Sequence, residues 1–195
     1  MLKILVPIKK VVDYNVQVRP TSDNKRVNTA NVKMGINPFD EIALEEAIRI
    51  KEKNPETTVI SITVGKNTVQ DVLRSSLAFG ADRSILIETD LDLGPLQIAK
   101  VLCNIVESEE PDLILMGKQA IDDDCNQTGQ MLAGMLGWPQ VTFISRIDLQ
   151  EKEVFLKREI DSGVEELKTT LPCVVTVDLR LNNPRFISLP NIIKA

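Results

Sequence analysis

The sequence predicts an α/β fold: a mostly parallel open sheet with helices on both faces, an inserted hairpin near the start and an antiparallel extension near the end. Four strand-like apolar runs, residues 2–8, 58–64, 84–87 and 113–116, are each followed by helical periodicity. Repeated βα order gives parallel strands covered on both faces. A hydrophobic content of 43% over 195 residues suffices for one packed core. After Pro139 the rhythm gives way to strand-like runs joined by short polar turns.

The first strand leads into a polar interval, residues 13–36, that breaks the βα order. Within it Thr21-Ser22-Asp23-Asn24-Lys25-Arg26 separates Val16-Gln17-Val18-Arg19 from Val27, which predicts the turn of an inserted hairpin. The first helix opens with Asn37 as N-cap, Pro38 at the first position and Asp40 at the third. Its inward stripe is Ala43, Leu44, Ala47 and Ile48. A second helix places Val69, Val72, Leu73 and Leu77 on one face and stops at Gly80. A third, after Gly94-Pro95, buries Ile98, Ala99, Leu102, Ile105 and Val106. A fourth, opened by Asn126, Gln127 and Thr128, turns Met131, Leu132, Met135 and Leu136 inward.

Residues 141–147, 153–160, 164–170 and 173–177 form the strands of the antiparallel extension, with Asp161-Ser162-Gly163 as one turn. Residues 1–178 thus make a single nucleotide-binding α/β domain. The tail, residues 179–195, carries two prolines and five large apolar residues from Phe186 onward without helical or alternating period. Such a segment buries itself poorly and is expected to meet another chain or a partner.

In open parallel sheets the ligand crevice lies at the carboxyl ends of the strands. Pro7, the insertion, Asn37, residues 64–66 and the loop after Gly117 should therefore converge. That loop sits between a strand and a helix, where unpaired N–H groups and the helix dipole favour an anion such as a phosphate. The GxGxxG fingerprint and the phosphate loop ending in Gly-Lys-Ser/Thr are both missing, so a nucleotide is held another way.

A formal charge of −5, from 23 basic and 28 acidic residues, argues against a nucleic-acid partner. With no histidine, Ser-His-Asp and Cys-His nucleophiles and imidazole-dependent zinc sites are excluded. Cys103, Cys125 and Cys173 form no CxxC pair, which suggests neither a disulfide framework nor a thiolate metal cluster. Cys125 has no basic neighbour in sequence to activate it. No apolar run reaches the ~20 residues needed to span a bilayer, so direct membrane insertion is not expected.

Several ordered motifs resemble the beta subunit of electron transfer flavoproteins. They are Val11-Val12-Asp13-Tyr14, Asn37-Pro38-Phe39 with Glu41-Ile42-Ala43, Gly80-Ala81-Asp82-Arg83, the 117–130 loop, and Asp178-Leu179-Arg180-Leu181-Asn182 through Pro184-Arg185 to Leu189-Pro190-Asn191-Ile192. The resemblance implies a Rossmann-like fold of the adenine nucleotide alpha hydrolase type. It also implies a carrier subunit with no catalytic residues and no metal, paired with an alpha subunit that holds most of the FAD. AMP would lie against Pro7, Asn37, Pro38, Phe39, Asp40, Val64, Gly117, Lys118, Gln119, Ala120, Ile121, Asp122, Asp123, Asp124, Cys125, Asn126, Gln127 and Thr128. Tyr14 would stand near the FAD of the partner subunit.

By the same resemblance, Pro184, Arg185, Phe186, Leu189, Pro190, Asn191 and Ile192 would form the loop that recognises acyl-CoA-type dehydrogenases, with Leu189 entering a hydrophobic pocket. Electrons would pass on to electron transfer flavoprotein-ubiquinone oxidoreductase, in the cytoplasm of a bacterium or the mitochondrial matrix of a eukaryote. Relatives carry a C-terminal arm beyond this loop, and more often have tyrosine at Phe186 and an acidic residue at Asn183. A bifurcating relative would instead bind a second FAD and oxidise NADH, but its loop typically ends in Val-Gly-Pro where this one has Thr128-Gly129-Gln130. A third alternative, an adenylyl-transferring or ATP-hydrolysing enzyme, would use Asp122, Asp123 and Asp124 as Mg²⁺ ligands.

Overall fold

In a computed structural model describing residues 1–195, the chain runs β1 (Lys3–Pro7), β2 (Lys10–Val12), β3 (Met34–Ile36), α1 (Pro38–Lys53), β4 (Thr58–Gly65), α2 (Gln70–Phe79), β5 (Arg83–Glu88), α3 (Pro95–Glu109), β6 (Leu113–Gly117), α4 (Thr128–Leu136), β7 (Gln140–Gln150), β8 (Glu153–Ile160), β9 (Gly163–Thr170), β10 (Cys173–Val177) and α5 (Leu189–Lys194). Eight strands form one sheet in the order β5-β4-β1-β6-β10-β7-β8-β9. It is parallel from β5 to β7 and antiparallel from β7 to β9.

Successive strand residues point to opposite faces, so a strand covered on both sides must be apolar throughout. Ile4, Val6, Leu113, Leu115, Cys173 and Val175 meet the residues of α1 and α2. Leu5, Ile60, Ile62, Ile114, Met116 and Val174 meet those of α3 and α4.

The expected assignment of residues 173–177 to the antiparallel extension is wrong. β10 lies between β6 and β7, parallel to both, and all five of its residues are buried. The unbroken Cys-Val-Val-Thr-Val run is what a doubly covered strand requires, whereas β9 alternates between half-buried and exposed positions along most of its length. β7 joins the two regimes. It pairs with β10 near its start and, past a register shift, with β8. Beside that shift Phe143 adopts a φ of 61° and its N–H donates to Thr176 Oγ1 at 3.1 Å. Such irregularities bend a strand and increase its twist.

Other expectations also need correction. The insertion does turn at residues 21–26, where Pro20 bridges Val27 and the Thr21 N–H donates to Arg26 O at 2.8 Å, but its ladder is β2 with β3 and residues 16–19 form no strand. In α4 the buried residues are Gly129, Leu132 and Ala133, while Met135 is exposed. A Cβ at Gly129 would stand 2.6 Å from Thr176 Cγ2, so the glycine lets α4 settle onto β10 and turns its apolar stripe away from Met135. In α2 the buried face continues through Ser76, Ala78 and Phe79. The tail contains α5, a helix of six residues with Pro190 in its first turn, too short for a periodic pattern to register. Leu181 and Ile187 pack against the core on the α1 side, and Asn191 Nδ2 donates to Ala78 O at 3.2 Å.

Leu115 is fully buried in the central strand β6, whereas Val164 is 64% exposed on the edge strand β9. Leu115→Ala is expected to cost about 2–5 kcal/mol and Val164→Ala to change stability by no more than about 0.5 kcal/mol, measured as urea unfolding midpoints.

Candidate functional site

Chain order reverses beside β1: β4 lies on one side of it and β6 on the other, with the path from β6 leading away toward β7. The carboxyl ends at such a reversal frame a crevice. A cavity of about 290 Å³ opens there.

Its frame is built by buried polar side chains. Asp40, in the first turn of α1, accepts the Lys9 N–H at 2.9 Å and the Gly117 N–H at 3.1 Å, tying the segment after β1 to the end of β6. Desolvation pushes its carboxyl up to about 7, opposed by the two backbone donors, Asn37 and the Lys9 charge. A Cβ on Gly117 would lie 2.4 Å from Asp40 Oδ1 and 2.7 Å from Phe39 Cβ, so only glycine permits this approach.

Asn37 is fully buried and stands at the N-cap of α1 before Pro38 as expected, but its side chain makes no capping bond. Its Nδ2 donates to Gln119 O at 2.8 Å and its Oδ1 accepts from Ile121 N–H at 3.2 Å. The amide holds the loop after β6 instead of the helix it precedes. Lys9 Nζ bridges Asp122 at 2.8 Å and Asp123 at 2.9 Å. Burial lowers the pKa of this ammonium, but the two carboxylates outweigh it and the net shift is upward. Lys118 Nζ pairs with Asp178 at 2.7 Å and sits over the rings of Phe39 and Phe143.

Of the residues expected at the nucleotide, Pro7, Asn37, Asp40, Val64, Gly117, Lys118, Gln119, Ala120, Asp123, Cys125, Asn126, Gln127 and Thr128 line the cavity. Pro38, Phe39, Ile121, Asp122 and Asp124 do not line it: Phe39 packs against Gly117, and the exposed Asp124 accepts from Gln119 Nε2 at 2.7 Å. Sequence reasoning missed Lys9, Thr63 and the loop between β5 and α3, where Thr89, Leu91, Asp92 and Leu93 complete the wall. That loop also leaves a carboxyl strand end, so the rule that located the other segments applies to it. Ile98 and Leu102, read as core alone, face the cavity as well.

The α4 N-terminus at Gln127 has no side-chain cap, and Thr128 and Gly129, which begin the helix, line the cavity. First-turn N–H groups there have no partner within the helix, the arrangement that receives an anionic oxygen. Ile62, Val64, Leu93 and Ile98 give the cavity an apolar lining as well. Lys9 already engages two of the three aspartates expected to hold Mg²⁺ in an enzyme. Burial pushes the Cys173 thiol up to about 12, leaving it unreactive.

Outside the cavity, Tyr14 is 75% exposed on the insertion, and Phe186, Leu189 and Ile192 are exposed on the tail. Pro184 is half-buried and Pro190 exposed. Arg185 turns inward onto α1, and Asn191 holds α2.

A family model described as an electron transfer flavoprotein domain matches residues 25–195. The whole chain is 56% identical over 194 residues to the electron transfer flavoprotein subunit beta of Dictyostelium discoideum, spanning 78% of that protein. It is 52% identical over 194 residues to the subunit of that name from Bradyrhizobium diazoefficiens and 52% over 198 residues to the one from Homo sapiens, again covering 78% of each.

Asp40 gives the site a pH signature. A carboxyl raised in the folded state keeps its proton while the unfolded chain has lost it, so its contribution to stability is full in acid and falls as pH rises from about 4 to about 7. Urea titrations across this range should show a wild-type minus Asp40→Asn difference that declines with a limiting slope of about 1.4 kcal/mol per pH unit. A flat difference would mean that Asp40 is ionised throughout.

Proposed function

This chain belongs to the electron transfer flavoprotein family as a beta subunit, and on that premise we propose that it is a carrier subunit holding a structural AMP. It pairs with an alpha subunit, supplies one wall of the environment of the FAD that this partner carries, and docks acyl-CoA-type dehydrogenases. Electrons then pass to electron transfer flavoprotein-ubiquinone oxidoreductase.

The observation that carries this reading is the cavity at the ends of β1, β4 and β6. Its 290 Å³ lies at the lower end of the roughly 300–1,000 Å³ typical of small-molecule sites, a size suited to a mononucleotide and small for a complete second FAD. The uncapped first turn of α4 suits a phosphate, and the apolar wall at Val64, Leu93 and Ile98 suits a base. No residue of this site needs to move a proton. Asn37, Asp40 and Gly117 hold the loop in shape, and AMP binding adds cohesion to the carboxyl edge of the sheet. When bound in the complex, FAD supplies the electron chemistry. Tyr14, exposed on the insertion, offers a phenol to that flavin environment.

The tail serves recognition. Leu189 is 68% exposed, and a small interface with one apolar anchor suits a carrier that must bind, exchange an electron and leave.

Denaturing the purified heterodimer should release one AMP and one FAD, quantified by chromatography and absorbance; two flavins per heterodimer would replace this reading with the bifurcating one. Leu189→Ala should slow electron transfer from an acyl-CoA dehydrogenase about tenfold or more, the scale of a binding hot spot, while flavin content and heterodimer assembly stay intact. Unaltered transfer rates would remove the anchor role of Leu189.

A further inference from the structure

Arg185 stands in the segment read as the docking tail, yet its guanidinium is directed at its own subunit. Nε donates to Glu45 Oε2 at 2.8 Å, Nη1 to Glu52 Oε1 at 2.5 Å, and Nη2 to Glu45 Oε1 and Glu52 Oε2 at 3.2 and 3.0 Å. The Arg185 backbone N–H reaches Glu45 Oε2 as well, at 3.2 Å. The two carboxylates lie on α1, and the Glu45 side chain is only 2% exposed. Arg49 supports the same arrangement, with Nε on Glu45 at 2.6 Å and Nη2 on Asn183 O at 2.9 Å. Just upstream, the buried Asn182 donates to Ile42 O and Glu46 Oε2 at 3.0 and 2.9 Å.

Beyond this clamp the side chains turn outward. Phe186 is wholly exposed, Leu189 is 68% exposed and Ile193 is 77% exposed, while Ile187 packs on the core and Asn191 clips α5 to Ala78 on α2. The segment from Phe186 to Ile193 is therefore an arch fastened by the clamp before its start and by Asn191 near its end. A forked guanidinium shared between two carboxylates has fixed geometry as well as strength. Burying Glu45 costs solvation, which its two arginine partners offset. The net result is a carboxyl held below the usual range despite burial. This polar network fastens a segment that contributes few side chains to the core, so ordering the arch is its main effect.

We infer that Arg185 is a positioning residue, not a partner contact: clamped to Glu45 and Glu52, it sets the Phe186-to-Ile193 arch in its docking shape before any dehydrogenase arrives. This rests on the docking role proposed for the tail. An epitope ordered in advance loses less conformational entropy on association than one that folds on contact. Lysine can keep the charge at this position but not the fork.

The test uses the assembled heterodimer with an acyl-CoA dehydrogenase, in wild type, Arg185→Gln, Arg185→Lys, Glu52→Gln and Leu189→Ala. In the free heterodimer, Arg185→Gln should accelerate amide hydrogen exchange across residues 186–193 at least about tenfold, through local opening. With the dehydrogenase it should raise KM for the carrier about tenfold and lower kcat much less, because ordering must now accompany binding. Arg185→Lys should restore part of both effects. Glu52→Gln, at an exposed carboxylate, should give a smaller change of the same sign even if Arg185→Gln folds poorly. Unchanged exchange in both Arg185→Gln and Glu52→Gln would overturn the clamp. Faster exchange with unchanged KM would overturn its role in docking, provided Leu189→Ala raises KM. If Leu189→Ala also leaves KM unchanged, the docking role of the tail is what fails.

Discussion

The cavity depends on one buried carboxylate. Asp40 receives backbone N–H groups from Lys9 and Gly117, so the segment after β1, the end of β6 and the first turn of α1 meet at one side chain. Burying a carboxyl without partners would be prohibitive; two donors and the positive end of a helix dipole make it tolerable. The geometry leaves no room for a Cβ at Gly117, which fixes how closely α1 approaches β6. With that approach set, Asn37 can reach Gln119 and Ile121, and Lys9 can span to Asp122 and Asp123. The loop around the cavity is thus tied down by α1 and the segment after β1.

Most of the parallel layer was legible because its strands are dominated by apolar residues and its helices carry stripes at the right spacing. β10 was misplaced because its position in sequence, after three strands joined by short turns, suggested a fourth antiparallel partner. Its own residues said otherwise, since five buried positions in a row require cover on two faces. Asn37 was read as a cap because its type and place fit that role, but which acceptor an amide chooses is settled by loops distant in sequence. The shift of the α4 stripe away from Met135 likewise came from a tertiary contact, Gly129 against Thr176. The position of the crevice was legible from topology alone, but the insertion expected beside it contributes no residue to the cavity lining. The omission of the β5–α3 loop was an incomplete application of the same rule.

The two proposed functional regions depart from adjacent strands. β6 ends at Gly117 and delivers the loop around the cavity, while β10 ends beside it and delivers the tail. Lys118 and Asp178, the first residues past these ends, form an ion pair at 2.7 Å. The cavity and the proposed docking arch are therefore mounted on one edge of the sheet, with α1 contacting both through Asp40 and Glu45.

The central place of β10 has a consequence for biosynthesis. The strand that fills the gap between β6 and β7 is the last to be made, so the sheet cannot close until residue 177 has left the ribosome. Until then β6 has one unpaired flank and the start of β7 has another, each an apolar edge open to wrong partners. A nascent chain halted short of β10 leaves these edges uncovered, however complete its first four βα units already are.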